Sequence, residues 1–141
     1  MKVDTHLTQN WRKVPAAVQA AEADGYDGVG TAEMNHDPFF PLLLAAEHSE
    51  SIEIRTGIAV AFARSPMILA NQAHDLNAYS KGRFTLGLGS QIRPHITKRF
   101  SMPWGAPAAQ MKELIQAMRA IWANWYDGEP LRFEGKYYNH T

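Results

Sequence analysis

Apolar and polar positions divide the chain into a repeating series of strand and helix segments. Residues 2–7 favour a short strand. After the polar turn Thr8-Gln9-Asn10, Val14, Val18 and Ala21 recur at helical spacing, and Gly25 stands where a helix C-cap glycine is expected. A second strand, about residues 26–32, leads through a polar loop, Glu33 to Asp37, into a helix that Asp37-Pro38 starts as cap and first-turn proline. Ile52, Ile54, Thr56, Ile58 and Val60 alternate as a third strand, and Ser65-Pro66 opens a helix to Tyr79 that Lys81-Gly82 stops. The fourth strand, RFTLGLG, ends at Gly89. A basic and aromatic loop then leads to Pro107 and a long helix with one apolar stripe of Met111, Leu114, Ile115, Met118, Ile121, Trp122 and Trp125, read as core packing. The last segment, EPLRFEGKYYNHT, predicts a hairpin around Glu134-Gly135-Lys136.

Strand and helix alternating every 25–30 residues or so is the βαβ signature of a parallel sheet, open and doubly wound or closed as a barrel. The turn after strand one contains no glycine, Gly87-Leu88-Gly89 lacks a third glycine because Ile92 holds that place, and no P-loop motif occurs, so both nucleotide fingerprints are absent. Four βα units are half of a (β/α)8 barrel, which typically needs about 250 residues. The expected fold is therefore α/β, a partial TIM barrel of about four parallel βα units plus a C-terminal hairpin. Residues 1–141 are read as the N-terminal half of one such domain. Two sheet edges and an inner face would then be open to water, a liability relieved by a second copy or by the missing C-terminal half.

Composition narrows the partners. Fourteen Lys+Arg balance fourteen Asp+Glu, and only 20% of the 141 residues are charged, so no basic footprint for nucleic acid or an anionic membrane exists. The absence of cysteine removes disulfides, thiolate metal sites and thiol nucleophiles, which fits the cytoplasm. The longest apolar run, Phe39 to Ala46, is far short of the roughly 20 residues of a membrane span.

In either parallel architecture, ligands bind beyond the C-terminal ends of the strands. That rule selects His6 and Thr8 after strand one, Glu33 to Asp37 after strand two, Ala61, Phe62 and Arg64 after strand three, and Ser90, Gln91, Arg93 and His95 after strand four. His36 and Asp37 can act as a general acid and its orienter, or Asp37 can simply cap a helix beside a solvated histidine. Glu33 can be an acid, a base or a hydrogen-bond partner of a cofactor, or else the ion-pair partner of a lysine or arginine of the next unit. Arg64 holds an anionic group or is a surface charge. A metal set of His6, Glu33 and His36 would make a barrel hydrolase; the single imidazole in Asp4-Thr5-His6 argues against it, and no metal site is expected. Gly57, Gly87 and Gly89 mark close approach to the backbone, by a flat cofactor or by packing.

Three segments, AEADGYDGVGTAE (residues 21–33), IRTGIAVAFARSP (residues 54–66) and KGRFTLGLGS (residues 81–90), together resemble the luciferase-like monooxygenase family of flavin- and deazaflavin-dependent barrel enzymes. The SQIRPHITKRFSMPWGAP stretch resembles its coenzyme F420-dependent oxidoreductase branch. The resemblance implies hydride transfer between a reduced cofactor and a small organic substrate, or an oxygenase reaction with dioxygen. The cofactor implied is F420, with FMN as the alternative. It further implies that Gly57, Ile58 and Ala59 back the cofactor ring at a bulge that often holds a cis peptide, and that Gly89 and Ser90 pass under it. Glu33 and His36 would carry acid–base work, because Met34, where many members have histidine, cannot move a proton. His6, Met34 and Phe62 would face substrate. The competing expectation is a non-catalytic half-barrel, a subunit or fragment that associates with a second copy.

Overall fold

A computed structural model describes residues 1–141. Four parallel strands pair in the order of the chain: β1 (Asp4–His6), β2 (Gly28–Thr31), β3 (Glu53–Thr56) and β5 (Phe84–Thr85). Sequential order is barrel winding, since a doubly wound sheet reverses direction at a switch point. Helices α1 (Val14–Ala23), α2 (Phe39–Glu47), α3 (Pro66–Tyr79) and α4 (Pro107–Asp127) follow the successive strands, and β7 (Phe133–Glu134) pairs antiparallel with β8 (Asn139–His140). The architecture is half of a (β/α)8 barrel with a C-terminal hairpin. No helix is long and apolar enough to cross a membrane.

The chain forms two compact units, Met1–Ala59 with Gln72–Leu88, and Val60–Asn71 with Gly89–Thr141. In the first unit, strand register puts Thr5, Val29, Ile54 and Phe84 in one row across the sheet. Side chains alternate across a strand, so this row and Thr31 and Thr56 share one face. There Val29, Ile54 and Phe84 are buried with Val14, Val18, Leu42, Ala45, Ala73 and Leu76 of the helices, and Phe39 meets Phe84 with ring centroids 6.3 Å apart. The other face is polar. It carries Asp4, His6, Glu53, Arg55 and Thr85 beside Gly28 and Gly30. Arg55 reaches across β2 to pair with Asp4, over Gly28, where a Cβ would lie 2.6 Å from the Asp4 carboxylate. The inner face of this sheet is therefore a polar surface.

Carboxylates and a guanidinium close the turns. Glu22 on α1 accepts from the backbone N–H groups of Glu50, Ser51 and Ile52 and from the Ser51 hydroxyl. Burial pushes its carboxyl upward, but these donors outweigh that and hold it at about 2. Arg83 donates to the carbonyls of Ala46, Ser49, Ile52 and Ser80, satisfying the end of α2, whose last carbonyls have no helical partner.

The second unit uses the same device. Glu113 of α4 accepts from the N–H groups of Tyr137 (2.6 Å), Tyr138 (2.7 Å) and Lys136 (3.1 Å), fixing the hairpin. Its core is Leu69, Ala70, Ile96, Leu114, Ala117, Met118 and Ile121. The α4 stripe is rotated from its expected position: Gln110 and Ala117 are buried, while Ile115 and Trp125 face out. Trp122 donates its indole N–H to the Ala70 carbonyl, 3.3 Å.

Several boundaries differ from expectation. The third strand is interrupted after Thr56 by Gly57-Ile58, resumes as β4 (Ala59–Val60), and turns into a 3-10 segment at Ala61–Ala63. The fourth breaks between β5 and β6 (Leu88–Gly89). Here Thr56 Oγ1 donates to Gly87 O and accepts from Gly87 N, both 2.8 Å, so a side chain takes over from the strand ladder. A Cβ on Gly87 would stand 2.1 Å from the Thr56 carbonyl oxygen, so the close neighbour of this glycine is protein backbone. The expected loop after Ser90 contains a π-helical turn, His95–Arg99.

Candidate active site

Backbone geometry at the ends of β1 and β2 brings two of the selected histidines to one cavity. Leu7 N–H donates to Gly30 O, carrying the chain past β2, and Asn10 Oδ1 caps a 3-10 turn at Trp11–Lys13. After β2, Asp37 Oδ1 accepts from Phe39 N–H at 2.8 Å and starts α2, while Thr31 Oγ1 donates to Pro38 O. The loop between is thereby held at both ends. His6 and His36 both line a cavity of about 190 Å³, together with Thr8, Trp11, Thr31 and Asp37.

Trp11 meets the His36 ring edge-on at 5.9 Å between centroids and meets Phe40 at 5.7 Å. An aromatic wall of this kind restricts where the imidazole can swing, and aromatic pairs add about 0.5–1.5 kcal/mol beyond area burial. Pro38, not Asp37, holds the N-cap position of α2, and Asp37 stands one residue before it, accepting from the first helical N–H. His36 and His6 are both exposed, so protons can enter and leave from solvent.

Glu33 has a different setting. Its side chain is buried, at 8% relative exposure, and its N–H donates to Ile58 O at 3.1 Å. Met34 is 55% exposed and does not line the histidine cavity. The Gly57–Ile58 peptide bond is cis. Gly57 N–H donates to Thr31 O, and Gly57 is exposed with that oxygen, 3.8 Å from a built Cβ, as its nearest neighbour. Bare backbone therefore faces outward at the end of the third strand. Ala59 is fully buried and donates its N–H to Gly87 O, 2.8 Å.

The remaining selected residues lie in the second unit. Phe62 is buried there, edge-on to Trp104 with centroids 6.0 Å apart. Gly89 and Ser90 are half-buried, and Ser90 Oγ donates to Gln91 O at 3.2 Å. Arg64 donates from Nη1 to Val60 O at 3.3 Å.

Trp11, Asp4 and Arg55 were not singled out from the sequence. A usable signal existed for the ion pair: Gly28 and Gly30, two apart on one strand, point to one sheet face and leave room for something to cross it. No comparable signal marks Trp11, whose place depends on the fold of two separate loops.

Residues 2–141 match the family described as luciferase-like monooxygenase. An uncharacterized protein of Mycobacterium tuberculosis is 57% identical over 140 residues, 99% of this chain and 41% of that protein. The chain thus spans about two fifths of the length of the curated relatives it matches first. Two solved structures share its fold. The FMN complex of the oxygenating constituent of 3,6-diketocamphane monooxygenase from Pseudomonas putida superposes with a TM-score of 0.81 at 18% identity, covering 99% of this chain and 44% of that one. The coenzyme F420 dependent tetrahydromethanopterin reductase from Methanopyrus kandleri has a TM-score of 0.77 at 20% identity, covering 100% and 44%.

Proposed function

The chain belongs to the luciferase-like monooxygenase family, and from that premise we propose that it forms the N-terminal half of a flavin- or deazaflavin-dependent oxidoreductase. Both units, residues 1–141, are parts of one incomplete barrel domain in this reading. The observation that carries it is the convergence of His6 and His36 on one cavity at the strand ends, close in sequence to the buried Glu33. When bound, the cofactor supplies hydride transfer to or from a small organic substrate, or reaction with dioxygen. We favour F420 on the resemblance of the loop after Ser90, with FMN as the alternative; one structural neighbour uses each.

The exposed backbone at Gly57 fits a flat ring, because no side chain stands over it, and Gly57, Ile58 and Ala59 would back that ring. In the second unit, Gly89 and Ser90 retain the cofactor role implied by the resemblance, with the Ser90 hydroxyl as a donor. His36 holds and moves the proton, kept in place by Trp11. Glu33, buried at the end of β2, is the second acid–base group. In the first unit His6 and Met34 orient substrate, and in the second Phe62 retains the substrate role implied by the resemblance.

Phe40, Leu43 and Tyr79 line an apolar groove of about 350 Å³ in the first unit, all three exposed. This favours a second copy as partner, and a concentration series by sedimentation, repeated with Leu43→Lys, tests it. A reducing, cytoplasmic setting suits the reaction.

Titration with F420 and separately with FMN, following tryptophan fluorescence, tests the cofactor reading. Saturable quenching by one of them supports it; no quenching by either sinks it. His36→Ala is expected to lower turnover of the reduced cofactor about 100-fold in a protein that still binds it. Unchanged turnover would remove His36 from the mechanism.

A further inference from the structure

Gln9 and Arg12, on the loop after β1, have no part in the proposed redox chemistry. With Asn10, Trp11 and His36 they line an open groove of about 360 Å³. Gln9, Trp11 and His36 also line the cavity of about 190 Å³ that holds His6, so groove and cavity meet at these three side chains. Local bonds fix the loop. Asn10 N–H donates to Thr8 Oγ1 and Asn10 Oδ1 accepts from Arg12 N–H, both at 3.2 Å, while Lys13 N–H donates to Asn10 O at 2.9 Å.

The two spaces differ in chemistry. The cavity has room for a body of modest size, since a void of about 150 Å³ already accepts a benzene ring. At its rim the Trp11 indole, 40% exposed, is held against His36 and Phe40. The groove adds a permanent positive charge. Of the three arginines in the first unit, Arg55 pairs with Asp4 and Arg83 donates to the carbonyls at the end of α2, whereas Arg12 is exposed and pairs with no carboxylate of the protein. Asp37 lines the cavity but not the groove, so an anionic group is repelled from the inner space and drawn to the outer one.

We propose that groove and cavity together take a small monocarboxylic acid with a flat, apolar body. Arg12 grips the carboxylate in the groove, where a guanidinium can supply two parallel bonds, and the Gln9 amide adds a further donor. The body passes Trp11, whose ring favours a flat partner, and its far end lies beside His6 and His36. Arg12 is thus the specificity-determining residue, and Trp11 both steadies His36 and guides the ligand. This names the substrate class of the redox site and rests on that reading for the reaction, while the binding itself needs no cofactor.

Titration of the whole chain with 3-phenylpropionate and with its neutral amide, 3-phenylpropionamide, at constant pH tests this, followed by NMR of the His6 and His36 imidazoles. The acid is expected to shift both imidazoles saturably and to bind about tenfold more tightly than the amide. Arg12→Gln, a change to an exposed side chain, should remove that preference and leave amide binding in place. Trp11→Leu should weaken acid and amide alike. Equal affinity for the two probes, a preference that survives Arg12→Gln, shifts confined to other histidines, or no saturable shift at all overturns the proposal. Quenching by F420 or FMN without a preference for the acid would spare the redox reading alone, and the preference without quenching would spare this one, so the two fall separately.

Discussion

Gly87 in the first unit and Gly105 in the second both sit where a methyl group would collide, but with different neighbours. Around Gly87 the obstacle is the Thr56 carbonyl oxygen, 2.1 Å from the built Cβ and itself part of the strand framework. Around Gly105 it is the edge of a tyrosine ring and the end of a glutamine side chain. Backbone locked into a sheet cannot move away without breaking neighbouring ladder bonds, whereas side chains can rotate at the expense of whatever they were arranged to do. The first unit is thus built to hold backbones at fixed distance, and the second to hold side chains around a space.

Gly87→Ala is the severest test of this difference. It should destabilise the protein by about 3 kcal/mol, at the upper end of overpacking effects, seen as a lowered urea midpoint. A loss below about 1 kcal/mol would mean that the strand junction yields, and the contrast would fail.

Next comes the first unit's carboxylate clamp. Glu22→Gln should cost about 2 kcal/mol near neutral pH, a figure discounted for the solvent that still reaches this side chain. Because the folded carboxyl titrates at about 2 against an ordinary 4.5, the unfolded chain takes up the proton first as pH falls. The stability contributed by Glu22 is therefore complete above about pH 4.5 and is lost progressively toward pH 2. Unfolding measured across that range should show a loss in the native protein that is diminished in Glu22→Gln.

Glu113→Gln probes the matching clamp in the second unit and should cost about 1 kcal/mol, less than Glu22→Gln because it secures a short terminal hairpin. Hydrogen exchange at Tyr137 and Tyr138 should rise while exchange in β2 and β3 stays protected. Equal exposure of both regions would show that the units do not open separately.

Gly105→Ala should have the smallest effect on stability, within about 1 kcal/mol, because Tyr137 and Gln110 can shift. A loss as large as that of Gly87→Ala would show that these side chains cannot move.

These contrasts also explain what was legible in the chain. Ser65-Pro66 marked the start of α3, and Ser65 Oγ accepts from Ile68 N–H there; Gly25, Gly82 and Gly128 all have positive φ beyond helix ends. Such signals act over three or four residues, so sequence carries them directly. The alternation of Ile52, Ile54 and Thr56 likewise placed the buried face of β3. It did not reveal the interruption at Gly57, because continued alternation at Ile58 and Val60 is compatible with an unbroken strand. Nor did the apolar stripe of α4 distinguish Ile115, which is exposed, from Ala117, which is buried.

Sequence by itself determined the succession of strands and helices, their caps and the half-barrel class, since periodicity and end-capping are local properties of the backbone. Tertiary structure alone decided that Arg55 crosses β2 to Asp4, that Trp11 packs on His36, and that Gln110 shares a cavity with Arg64. In each case the groups that meet are separated by 25 to 51 positions, and their encounter depends on strand register, loop path and the packing of α4, none of which is encoded in the spacing of neighbouring residues.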